Sequence, residues 1–182
     1  MRYSQHHKAE TRQRIIDEAS TRFRRDGIEG TGLVPLMKAL GMTHGGFYAH
    51  FPSKEALVEA SLVATVEQFS RKWQDPLDGE QLRAFLGNYL STQHRDNPGE
   101  ACPLPSLCSE LGLRGQPSPT TDVLATRMAQ RLDACEIVVE DGDGGLVALA
   151  ALVGAMTLAR AVADPALSER ILGAVHGALR PA

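Results

Sequence analysis

Thr43, His44, Gly45, Gly46, Phe47, Tyr48, Ala49, His50, Phe51, Pro52, Ser53 and Lys54 form one continuous stretch. Their types suit contact with a large polyanion. Gly45 and Gly46 each cost a helix about 1 kcal/mol against Ala. A segment built only to fold has no use for the pair, but glycines let another backbone come close. Lys54 opens a helix, where the dipole disfavours a cation by about 0.3–1 kcal/mol. A cation kept there points to an anionic partner such as a phosphate. Tyr48 presents an amphipathic ring on the same segment, and His50 is a weaker candidate for a phosphate contact. The Thr43 hydroxyl can cap the helix and donate to phosphate. His44 opens that helix and is the best base reader, with Lys38 beside it. An imidazole both donates and accepts, so the code is thin, and DNA shape is expected to carry much of the specificity.

The surrounding elements must hold this stretch in place. A first helix is predicted from about residue 10 to 25, with Ile15, Ile16, Ala19 and Phe23 on its apolar stripe and Gly27 as its stop. Residues 1–9 read as a polar, mildly basic arm. A short second helix spans about 34–40, with Pro35 in its first turn and Leu36 and Leu40 facing inward. After the turn at Gly41, a third helix runs from about 44 to 50, putting Phe47 and Phe51 in the core and His44 and Tyr48 on another face. Helix, glycine turn, helix is a helix-turn-helix.

A fourth helix, about 54–73, carries Val58, Leu62, Val66, Phe69 and Trp73 in one stripe. Further helices are predicted at about 80–95, 106–113, 119–140, 146–163 and 165–179, each bounded by Pro, Gly or Asp signals. No strand alternation appears. The expected class is all-α with about nine helices, an N-terminal domain 1–53 and a second domain 54–182.

Charge divides unevenly. The chain of 182 residues has a net charge of -3, yet residues 1–55 hold nine Lys/Arg against six Asp/Glu. A basic first third on an acidic body fits a nucleic-acid module joined to something else. The apolar run 146–159 falls short of a membrane span, no signal core opens the chain, and three cysteines make no disulfide framework. A cytoplasmic protein without membrane partners is expected. Nucleophile-elbow, phosphate-loop, zinc and paired-carboxylate patterns are missing, so neither catalysis nor a cofactor or metal is expected.

In order and spacing the first third resembles the tetracycline-repressor (TetR) family of bacterial one-component regulators. The matching residues are Ile16, Ala19, Phe23, Gly27, Thr31, Leu36, Gly41, Met42, Thr43, Gly46, Phe47, Tyr48, His50, Phe51 and the run Lys54, Glu55, Ala56, Leu57. The resemblance implies a homodimer that places its third helix in the major groove of a palindromic operator, with Tyr48 reaching a backbone phosphate and Thr31 among the DNA-facing positions. It implies a repressor released by a small-molecule effector bound in the second domain. Phe69, Trp73, Phe85, Tyr89, Cys108, Met128 and Leu132 are the expected pocket lining, and an apolar effector fits them. Leu149, Leu152, Val153, Met156, Ile171, Leu172 and Val175 on the last two helices are the expected dimer interface. Cys102 and Cys108, with His94 near, leave open a redox or electrophile sensor. A helical enzyme or a protein-binding adaptor is the reading from another class; the paired glycines and Lys54 speak against the adaptor.

Overall fold

A computed structural model describes residues 2–72, 77–133, 135 and 143–179. Among these the fold is all-α: α1 Arg2–Gly30, α2 Leu33–Ala39, α3 His44–Phe47, α4 Lys54–Lys72, α5 Gly79–Tyr89, α6 Thr92–Asp96, a 3-10 turn Pro98–Glu100, α7 Leu104–Leu113, α8 Pro119–Leu132, α9 Gly144–Ala161 and α10 Pro165–Ala178. Ten α-helices are described where about nine were expected.

Three boundaries depart from the sequence reading. The N-terminal arm is helical, because no Gly or Pro interrupts residues 2–26 and a helix nucleated on its apolar face propagates backwards at little cost. The third helix is four residues long rather than seven, and the chain past Tyr48 leaves the regular helix by turns. The predicted helix 80–95 is two helices. The Ser91 hydroxyl accepts a hydrogen bond from the His94 N–H at 3.1 Å and starts α6 afresh, a cap that the apolar stripe conceals.

Two apolar clusters organise the chain. The first gathers Ile15, Ile16, Ala19, Phe23 and Ile28 of α1, Leu36 and Met37 of α2, Phe47, Phe51, and Leu57, Val58 and Leu62 of α4. Leu107 and Leu111 of α7 join it. The second is built by α5, α8, α9 and α10, with Leu82, Leu86, Tyr89, Leu124, Met128, Leu132, Leu152, Met156 and Leu172 at its centre. α9 is long and apolar enough to cross a membrane by composition. Eight of its residues are buried against the protein instead, which accounts for its apolarity.

Close backbone approach fixes the α8–α9 pair. A Cβ on Gly145 would collide with the Ala129 carbonyl and the Asp133 carboxylate. Only glycine fits this crossing.

Polar contacts tie the first cluster to α7. Gly27 takes φ 77°, so α1 kinks there. The amide of Ile28 beyond the kink donates to Glu110 Oε2 of α7 at 2.6 Å. The Arg24 guanidinium donates to the Gly99 carbonyl at 2.7 Å, and the Ser106 hydroxyl to the Arg24 carbonyl at 2.8 Å. Sequence reasoning missed Glu110; a carboxylate eighty residues from the amide it caps leaves no local signal.

Candidate nucleic-acid interface

The recognition segment is built from its first residue. Thr43 is extended and its hydroxyl oxygen accepts from the Gly46 N–H at 3.3 Å, capping α3. Gly41, at φ 71°, makes the turn from α2. Phe47 is buried and stacks on Phe51 with ring centres 5.7 Å apart. This anchor leaves His44, Gly45 and Tyr48 exposed.

Tyr48 is 57% exposed. Its ring meets Phe47 edge-on at 5.2 Å and His44 at 5.6 Å. These contacts hold the phenol in one orientation while its hydroxyl stays accessible. The glycines divide in role. A Cβ on Gly45 would meet nothing within 4 Å. A Cβ on Gly46 would meet Thr43 Oγ1 at 3.6 Å and the methyl carbons of Met42 and Met37 at 3.8 and 3.9 Å. Neither has a positive φ. The fold therefore demands glycine at neither site, and Gly45 keeps open a surface turned away from the protein.

Lys38 is exposed on α2. Lys54 opens α4, where the Ser53 hydroxyl accepts from the Ala56 amide at 3.2 Å. His50 is half-buried beside Phe51. Partial burial and then the charges of Lys8 and Arg12 hold its imidazole below the usual pKa.

Thr31 must be corrected. It is 2% exposed and its hydroxyl donates to the Gly27 carbonyl at 2.7 Å. It closes the kink in α1 and presents nothing to a ligand.

The other predicted residues scatter. Tyr89, Met128 and Leu132 are buried in the second cluster, and Phe85 packs partly buried against it. Cys108 is exposed on α7. Trp73 and the Phe69 side chain lie outside the described residues. Around Tyr89 the interior is polar, unlike the apolar lining expected. His94 stacks on its ring at 4.7 Å, and the Cys102 amide donates to His94 Nε2 at 3.4 Å. Arg160 of α9 donates to the carbonyls of His94 and Arg95, both at 3.0 Å. The buried Tyr89 hydroxyl lies against the Cys102 thiol, and Arg160 Nη1 is buried without a hydrogen-bond partner among the described residues. Burial, then Arg160, pushes His94 down to about 4, and burial pushes the Cys102 thiol up to about 11. Such a thiol is ionised about once in 10,000 at neutral pH, which leaves no ready nucleophile.

Of the expected interface residues, Leu149, Leu152, Met156 and Leu172 are buried within the single chain, so they offer no area to a partner. Val153, Ile171 and Val175 are half-buried. The exposed apolar face consists of Leu146, Val147 and Leu158 of α9 and Leu167 of α10. Helical periodicity predicts an apolar face but not which neighbour covers it.

Residues 15–61 match the sequence model of bacterial regulatory proteins, tetR family. Over that segment the chain is similar to the TetR family. The transcriptional regulator UidR of Escherichia coli is 30% identical over 69 residues, covering 38% of this chain and 35% of UidR; the chain thus matches about a third of that relative's length. A TetR-family regulator from Agrobacterium tumefaciens superposes with a TM-score of 0.73 at 20% identity, covering 95% of this chain and 99% of its own. AibR, solved in complex with isovaleryl coenzyme A and operator DNA, superposes with a TM-score of 0.57 at 19% identity, covering 94% of this chain and 99% of its own. These likenesses at low identity show a shared fold over nearly the whole chain. The helix-turn-helix match covers α1 from Ile15 through the first turns of α4.

Proposed function

We propose that this chain is a cytoplasmic one-component transcriptional regulator. It binds a palindromic operator as a dimer, with α3 in the major groove, and acts as a repressor released by a small effector. The observation that carries the reading is the exposed face of His44, Gly45 and Tyr48, open in front of a buried Phe47 anchor. A glycine kept where the fold leaves room for a side chain is explained by another molecule's approach. Thr43, Tyr48, His50 and Lys54 position the head on phosphates, and His44 and Lys38 reach base edges. Residues 1–53 serve as the reading head and 54–182 as the effector and dimer body. The body's Tyr89, His94 and Arg160 favour an effector with an acceptor group, such as a carboxylate or carbonyl, on an apolar frame.

The test is selection of bound fragments from random duplex DNA, followed by binding as a function of salt. A palindromic consensus is expected, with affinity falling steeply as salt rises, and Tyr48→Phe and Lys54→Ala weakening it. Salt-independent binding, or none, would overturn the reading. Cys102, buried and protonated, favours no second, redox-sensing reading.

A further inference from the structure

Most arginines of the first cluster are taken. Arg22 pairs with Glu18 at 2.6 Å and Arg25 with Asp26 at 2.7 Å. Arg14 donates to the Leu40 carbonyl and Arg24 to that of Gly99. Lys8 and Arg12 differ. They sit four residues apart on the extended N-terminal half of α1, on one face, both exposed. Neither has a carboxylate partner among the described residues: Glu10 faces His6 at 3.2 Å and His7 at 4.0 Å, and Asp17 accepts from Gln13.

The Arg12 guanidinium lies over the Phe51 ring, 4.6 Å from its centre. That brings the N-terminal half of α1 to the end of the recognition segment. His50 adjoins Phe51, and its Nδ1 is buried with no hydrogen-bond partner among the described residues. The charges acting on it are those of Lys8 and Arg12, with no carboxylate among them. From α4, the Glu55 carboxylate is engaged at its own helix start by its backbone amide and Ser53, and Lys54 adds a further cation. Three basic groups thus converge without a counter-charge beside α3.

We propose that Lys8, Arg12 and His50 form a phosphate site for the DNA backbone, and that His50 takes up a proton when the phosphate arrives. The proposal rests on the DNA-binding reading and extends the contact surface from α3 to the N-terminal half of α1. A phosphate supplies the missing negative charge and favours the imidazolium. His50 is neutral in the free protein above its lowered pKa and charged in the complex up to a higher one. Between those two values, affinity rises as pH falls; below both it levels off.

A phosphate contact carries no sequence information, so a random-sequence duplex serves as probe for the full-length protein. Each phosphate neutralised contributes about 0.9 to the slope of log affinity against log salt. The wild-type slope is expected to be steeper at about pH 5.5 than at about pH 8, by up to about 0.9 per subunit. His50→Gln should abolish that difference. Lys8→Ala and Arg12→Gln should each flatten the slope by about 0.9 at both pH values. Lys8 is exposed, so its variant tests the site without disturbing the core, while a thermal melt of Arg12→Gln separates loss of the Phe51 contact from loss of charge. Slopes unchanged in Lys8→Ala and His50→Gln, with binding still dependent on Tyr48 and Lys54, overturn this site alone. Absence of duplex binding by the wild type overturns both this site and the regulator reading.

Discussion

At the scale of single residues, Gly45 separates stability from function. Its missing side chain faces open space, so Ala fits the fold and improves helix propensity by about 1 kcal/mol. Gly45→Ala is expected to raise resistance to urea and to weaken operator binding; a variant that gains stability and binds as before would leave the glycine unexplained. His94 yields a pH prediction. Its imidazole titrates near 6.5 when unfolded and about 4 when folded, so between these values the unfolded chain holds more protons. Stability therefore rises with pH through that window and is lost as pH falls from about 6.5 towards about 4. Melting temperature against pH should fall less steeply in His94→Gln than in the wild type; parallel curves would show that His94 binds its proton equally in the folded and unfolded states.

At the scale of elements, packing distances matter more than propensity. α8 and α9 cross where Gly145 meets the Ala129 carbonyl. A methyl there must push two backbones apart, and overpacking of this kind costs about 1–3 kcal/mol. Gly145→Ala should lower the urea midpoint by a corresponding amount, whereas the same change at exposed Gly112 of α7, where a Cβ meets nothing within 4 Å, should not. The recognition segment was legible in the sequence because its determinants are local: Thr43 caps three residues on and Phe47 stacks on Phe51 four residues on. The kink in α1 was legible only in part. Gly27 marks a break, but Glu110 supplies the hydrogen bond that stabilises the next turn.

At the scale of the whole molecule, the α9–α10 face is the place to test assembly. Leu146, Val147 and Leu158 of α9 and Leu167 of α10 remain exposed after folding. If two chains pair there, Leu158→Asp should shift the sedimentation coefficient towards that of a monomer and weaken operator binding, since two linked heads bind far better than one. An unchanged sedimentation profile would exclude this face. The head and body share structure more closely than a boundary at residue 53 implies: Leu107 and Leu111 of α7 pack into the first apolar cluster, and Arg24 reaches the Gly99 carbonyl. A shift of α7 therefore acts on α1 directly.

The sequence by itself determined the all-α class, the helix-turn-helix with its cap and turn glycine, and the residues that face outward from α3. Each follows from interactions within about one helical turn, where spacing dictates geometry. Only the tertiary structure decided that Thr31 is buried, that Leu149, Leu152, Met156 and Leu172 belong to the interior, that Tyr89 lies among polar groups, and that Arg12 meets Phe51. Those outcomes depend on which helix lies against which, and a pattern along one helix records how much apolar surface must be covered without naming what covers it.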